Sequence, residues 1–162
     1  MIVVADTTPV NYLVLIQQPD LLPRLFGEVL IPPAVFEELK DPETPSPVRA
    51  WLANAPSWLK VQTPRSRPDP ELDYLDEGER EAIALAEELK ADQLLLDEID
   101  ARKEAARRKL PFIGTLGILR KAAQLGLIDL PSTLARLQQT TFYVDPELIR
   151  SLLDEDAQRT NR

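Results

Sequence analysis

Short apolar runs, each ending in an acid or a turn, alternate along this chain with stretches of helical period. Ile2 to Ala5 is uninterruptedly apolar and β-branched, which predicts a buried strand rather than a helix. Thr8 with Pro9 then opens an apolar helix to about Ile16, and Asp20 caps a short helix from Leu21 to Phe26 that Gly27 stops. Val29 to Ile31 predicts a second strand, and Pro32-Pro33 starts a helix carrying Glu38. A turn over Asp41 to Pro45 leads to a helix from Ser46 to about Ala55 and a short strand over Trp58 to Val61. Thr63 to Asp73, rich in proline and charge, reads as an exposed loop.

The second half repeats the rhythm. A helix is expected from about Gly78 to Lys90, a strand from Gln93 to Leu96, and a basic helix from Ile99 or Asp100 to about Lys109. Pro111 to Ile113 predicts a strand, Thr115 caps a helix to Gln124, and Gly126 breaks it. Pro131 to Leu137 reads as helix, Phe142 to Val144 as an edge strand, and Asp145-Pro146 as the start of a last helix to Leu153. Strands alternating with helices predict one α/β domain over residues 1–153. Its parallel sheet has about four or five strands with helices on both faces. Residues 154–162 are expected to form a frayed, flexible tail.

This pattern puts acids in telling places. Asp6 ends the first strand and Asp97 follows Leu94-Leu95-Leu96, so both are expected beyond the carboxyl ends of strands, where open α/β sheets bind ligands. Glu79 shares a helical face with Ala82, Ile83 and Ala86 and therefore stands at the head of the inward face. Glu38 flanks the buried stripe marked by Val35 and Leu39 and competes with Glu37 for any role. Each acid also has a plain explanation: Asp6 and Asp97 as helix caps, Glu79 as a partner of the helix dipole, Glu38 as a solvated side chain. Asp100 either caps the basic helix or supports the acids from outside. Gathered together, Asp6, Glu38, Glu79 and Asp97 would repel one another, and a divalent cation relieves that cost.

Composition narrows the chemistry. The 162 residues are 44% hydrophobic and 28% charged, enough for one domain with a real core. There is no cysteine and no histidine, so disulfides, zinc–thiolate sites and histidine-based catalysis are excluded. An all-oxygen acid cluster suits Mg²⁺ or Mn²⁺, and that chemistry points to phosphodiester cleavage. No apolar run is long enough to span a bilayer and the N-terminus lacks a basic leader, so a cytoplasmic protein without a membrane partner is expected. The formal charge of -8 opposes nucleic-acid binding as a whole. Between Arg102 and Gln124, however, seven basic residues face only Glu104, which makes that segment +6 and leaves -14 for the rest. Arg102, Lys103, Arg107 and Arg108 are the candidate nucleic-acid-binding residues, with an ordinary solvated helix surface as the alternative.

These segments resemble the PIN-domain ribonucleases, in particular the VapC-like toxins of toxin–antitoxin pairs. The likeness lies in Val4-Ala5-Asp6-Thr7-Thr8-Pro9, in Ile31-Pro32-Pro33-Ala34-Val35 with Glu38, and in Gly78-Glu79 with Ala82 to Ala86. It continues through Leu94-Leu95-Leu96-Asp97 with Ala101-Arg102 and through Ile113-Gly114-Thr115-Leu116-Gly117, spanning residues 2 to about 153. The resemblance implies Mg²⁺ or Mn²⁺ held by Asp6, Glu38, Glu79 and Asp97, single-stranded RNA as substrate, and a homodimer silenced by a small antitoxin. Many PIN nucleases carry Thr or Ser just before the last acid; here Leu95 and Leu96 stand there, and Thr115, with Thr7, is the polar residue expected to support the acids.

Other functions fit less well. An aspartate-nucleophile phosphatase needs a second Asp where Thr8 stands, and a dinucleotide fold needs glycines in place of Asp6-Thr7-Thr8-Pro9. The alternative from another class is a catalytically silent PIN-like module that acts by binding a partner. Both predicted N-terminal helices are apolar nearly all round, which predicts a dimer interface with a groove for an amphipathic antitoxin segment, unless the last helix folds back over them.

Overall fold

The computed structural model describes residues 1–161 and shows a five-stranded, wholly parallel sheet. The chain runs β1 (Val3–Ala5), α1 (Thr7–Leu15), α2 (Leu21–Phe26), β2 (Val29–Ile31), α3 (Pro33–Lys40), α4 (Ser46–Ala53) and β3 (Leu59–Val61). A single 3-10 turn, Pro70–Leu72, precedes α5 (Glu77–Leu89), β4 (Gln93–Leu95), α6 (Ile99–Arg107), β5 (Phe112–Ile113), α7 (Thr115–Gln124), α8 (Leu130–Gln138) and α9 (Pro146–Thr160). The strand order is β3-β2-β1-β4-β5. The chain moves outward from β1 to β3, then returns across β1 to begin the other half at β4. The switch point therefore lies between β1 and β4, which pair in register from Val3 opposite Gln93 to Ala5 opposite Leu95.

Alternation along the strands builds a core on each face. Val3, Ala5 and Leu95 point into the larger core, with α1, α7 and α8 residues such as Leu13, Leu119 and Leu134. Val4, Leu94 and Leu96 point the other way, against Ile83, Leu85 and Ala86 of α5 and Ala101 and Ala105 of α6. Strands buried on both faces need apolar sequence, which is why Val3–Ala5 and Leu94–Leu96 are wholly apolar up to the acids that follow, with the half-buried Gln93 at the entry to β4.

Four expectations are corrected. Phe142 to Val144 forms no strand; it is an irregular link between α8 and α9, and β5 is the sheet edge on that side. The last helix continues past Leu153 to Thr160 because it has tertiary partners there. Arg120 and Gln124 of α7 donate to Glu155 at 2.9 and 3.2 Å, while Asp156, 9% exposed, accepts from Arg159 within the helix itself. The tail expected over 154–162 is thus helical to Thr160, and residue 162 lies outside the described residues. The apolar faces of α1 and α2 do not remain open: Val10, Leu13, Val14, Ile16, Leu21, Leu22 and Phe26 are all buried within one chain. The covering elements for α1 are α3, α4 and α7, not the last helix, which packs on α7 and α8. Finally, α1 starts at Thr7 with Asp6 in the cap position, two residues earlier than Thr8-Pro9 suggested. Among the described residues no helix is long and apolar enough to cross a membrane.

Candidate metal centre

Asp6 sits where β1 ends at the switch point, its amide donating to the Leu95 carbonyl at 2.9 Å. It occupies the cap position of α1, yet its side chain makes no capping bond. The carboxyl group is 4% exposed, and its Oδ1 has no hydrogen-bond partner. An orphaned, buried carboxylate oxygen is costly and asks for an explanation. Burial, reinforced by the charges of Asp76, Glu38 and Asp97, pushes its pKa up to about 7.

The other acids reach the same end of the sheet from different elements. Glu38, half-buried on α3, accepts from the Thr7 hydroxyl, and its carboxylate packs against Gly78. A Cβ at Gly78 would stand 2.9 Å from Glu38 Oε1, so the missing side chain makes the room for this carboxylate. Glu79, 8% exposed, lies in the first turn of α5; burial, then Asp76 and Asp6, push its pKa up to about 9. Asp97 follows β4 and takes two bonds from Thr115, one from the amide at 2.8 Å and one from the hydroxyl at 2.7 Å. Burial raises its pKa, while Thr115 and then Arg102 oppose that rise. Thr7 and Thr115 thus each donate to one of these acids.

The capping alternatives are now resolved for α6. Its cap is Glu98, which accepts from the Asp100 amide, so neither Asp97 nor Asp100 performs that task. Asp100 is exposed in the first turn. Among the described residues no three acids converge closely enough to form a finished cation cage as they stand. Glu38 accepts from Thr7, Asp97 accepts from Thr115 and lies 3.7 Å from Arg102, and the Glu79 amide donates to Asp76. Among the buried side-chain oxygens of the described residues, only Asp6 Oδ1 lacks a partner. The donor set, all carboxylate oxygen with one buried and orphaned, fits a hard divalent cation.

Asp76 was not singled out from the sequence. It caps α5, accepting from the Glu79 amide at 2.8 Å, and its charge bears on Asp6, Glu38 and Glu79 together. The signal that locates it is the spacing Asp76-Glu77-Gly78-Glu79, an acid three residues before a Glu at a helix start.

The basic residues divide. Arg102 donates through Nε to the Leu96 carbonyl at 2.9 Å and holds Nη2 3.7 Å from Asp97 Oδ1, over the Phe112 ring. Lys103 is exposed and makes no ion pair among the described residues. Arg107 and Arg108 converge instead on buried Glu104, and reach Glu71, Asp69 and Glu87. Those ion pairs hold Glu104 down at about pKa 2 and tie α6 to the loop that leads into α5.

Two depressions meet at Thr8. One, of about 660 Å³, begins at Asp97 and Arg102 and has an apolar floor including Leu116, Phe142 and Leu148. Tyr143 lies on it, 84% exposed. The other, of about 370 Å³, is polar and reaches Glu38 and Thr7. The acids are therefore flanked on both sides by open surface.

A family profile described as PIN domain matches residues 2–158. No curated protein and no solved structure shows significant similarity to the chain.

Proposed function

The chain belongs to the PIN-domain family, a family of nucleases, and from that premise we propose that it is a metal-dependent endoribonuclease acting on single-stranded RNA. The observation that carries this reading is Asp6: a buried carboxylate with an unpartnered oxygen, at the sheet's switch point, under the charge of neighbouring acids. Asp6, Glu38, Glu79 and Asp97 are the residues that would hold Mg²⁺ or Mn²⁺. When bound, such a cation supplies Lewis acidity toward a phosphate oxygen and toward attacking water. The chain's own groups do the rest. Thr7 and Thr115 orient Glu38 and Asp97, and the Arg102 guanidinium offers positive charge at the mouth of the apolar depression. An unpaired strand suits this surface, because only unstacked bases present their faces to Tyr143, Phe142 and Leu148.

The assignment as toxin of a toxin–antitoxin pair, a homodimer restrained by a small antitoxin, is supported by the VapC-like resemblance of the motifs. It no longer draws on exposed apolar faces of α1 and α2, since those are buried.

The test is cleavage of an unstructured RNA oligomer by the purified chain with Mg²⁺ or Mn²⁺, with and without excess chelator. Chelator should abolish cleavage, and Asp6→Asn should lower it by roughly a hundredfold or more while the protein stays folded. Undiminished activity in chelator rejects the mechanism. A folded chain that cuts no RNA under any of these conditions is instead a silent binding module.

A further inference from the structure

Three large hydrophobic side chains that stay exposed, Ile99, Tyr143 and Leu148, line one depression, the one that begins at Asp97 and Arg102. Apolar groups left open together mark a binding surface. The volume of about 660 Å³ falls among the roughly 300–1,000 Å³ sites that take small organic groups. Tyr143 does not hang on a loose loop. Beside it the Tyr12 hydroxyl and Thr141 Oγ1 share a hydrogen bond of 2.7 Å, and the Phe142 amide donates to Thr140 Oγ1. The Phe142 ring meets Tyr12 edge-on, with centroids 4.9 Å apart. Phe142 and Val144 are half-buried against the core, so the ring between them is held outward on a fixed support.

Arg102 is fixed as well. Its Nε donates to the Leu96 carbonyl, its guanidinium lies over Phe112, and Gly114 leaves room for Nη2 where a Cβ would collide with it. Nη1 has no partner among the described residues. The acids at the rim are engaged: Glu98 and Asp145 accept the amides of Asp100 and Glu147 as helix caps. Beyond Thr8 the polar depression is lined by Glu38, Asp41 and Glu43 and, among the described residues, by no cation. A polyanion is therefore received on the Tyr143 side and repelled on the other.

We propose that the apolar depression is a nucleotide subsite for single-stranded RNA, in which Tyr143 stacks on one base and Arg102 holds a phosphate of the same strand. Stacking needs only the face of a base, so the subsite accepts any sequence but requires a base to be present. Tyr143 sets the grip on the strand beside the acids and takes no part in cleavage.

The proposal rests on the RNA reading of the site, and its test separates the two. Binding of a short fluorescein-labelled oligoadenylate to the full chain is followed by anisotropy in chelator for the wild type, Tyr143→Ala, Tyr143→Phe and Arg102→Gln. An abasic strand of the same length, sedimentation of each variant, and cleavage with Mg²⁺ or Mn²⁺ complete the set. We expect Tyr143→Ala to weaken binding roughly tenfold and Tyr143→Phe to restore it, with the sedimenting mass unchanged. The abasic strand should bind the wild type and Tyr143→Ala alike, and Arg102→Gln should flatten the salt slope by about 0.7. Wild-type RNA affinity in Tyr143→Ala overturns the subsite and leaves the nuclease reading standing wherever the wild type cuts RNA. If that variant instead dissociates a dimer while RNA affinity holds, the depression is an interface between two copies and the subsite is overturned. No RNA binding by the wild type in chelator overturns it too. Binding that depends on Tyr143, in a chain that cuts nothing with either metal, upholds the subsite and overturns the nuclease.

Discussion

At the scale of single residues, the acids are arranged at a cost to the folded state that a bound divalent cation would offset. Asp6 and Glu79 have pKa values pushed above their ordinary range, to about 7 and about 9. The folded chain therefore holds protons that the unfolded chain releases, and without a cation its stability falls as pH rises. For Asp6 the loss begins near the ordinary carboxylate value of 3.8 and is complete above about 7; for Glu79 it continues toward about 9. Denaturant unfolding in chelator from pH 5 to 9 should show this decline, Asp6→Asn should flatten it, and Mg²⁺ should do the same for the wild type. A glycine gives a second prediction at this scale. A Cβ at Gly114 would collide with Arg102 Nη2 and lie 2.6 Å from Asp97 Oδ1. Gly114→Ala must displace both groups, and RNA cleavage should fall by about tenfold or more with the circular dichroism spectrum unchanged. Cleavage at the wild-type rate would show that neither group needs its present place.

At the scale of elements, α6 and the loop before α5 behave as one unit. Glu104 accepts from Arg107, Arg108 and Tyr74, and the two arginines reach Glu71 and Asp69 beside the 3-10 turn. Glu104→Gln removes the charge on which they converge and should destabilise the chain by about 2 kcal/mol, read from urea unfolding. Neutralising Arg107 and Arg108 together should likewise lower the unfolding midpoint before it alters the salt dependence of RNA binding, whereas Arg102→Gln should weaken that binding directly. An unchanged midpoint in the double variant would leave the arginines as ordinary surface. This network was not legible in the sequence. Glu104 lies one turn from Arg107 and Arg108, but the partners outside α6 are 21 to 39 residues away, and local periodicity carries no record of them. The same limit explains Phe142 to Val144, whose β-forming residues find no neighbouring strand, and residues 154–160, whose polar composition hides a helix stabilised by Arg120. What local pattern does encode was read correctly. The strands at Val3, Val29, Gln93 and Phe112 and the acids that follow β1 and β4 are set by apolar runs that must stop where the sheet ends.

At the scale of the whole molecule, the burial of α1 and α2 in one chain decides how self-association should be tested. With Leu13, Leu21, Leu22 and Phe26 already covered, a dimer would have to use other surface, and the apolar depression around Tyr143 and Leu148 is the candidate. Sedimentation equilibrium at micromolar concentration separates a species of 18.3 kDa from twice that mass. If a dimer forms, Tyr143→Lys should dissociate it should this depression be the interface, and should leave it intact otherwise. The strand order has one more consequence, and it concerns time. Asp6 leaves the ribosome well before its neighbour in the sheet, because the position beside it is filled by β4, with the Ile2 amide bonded to Asp92 across 90 residues. At about 5–20 residues per second, synthesis takes several seconds to span that interval. Until β4 leaves the ribosome and pairs with β1, Asp6 and Asp97 cannot meet, so the proposed cation centre cannot assemble during that interval.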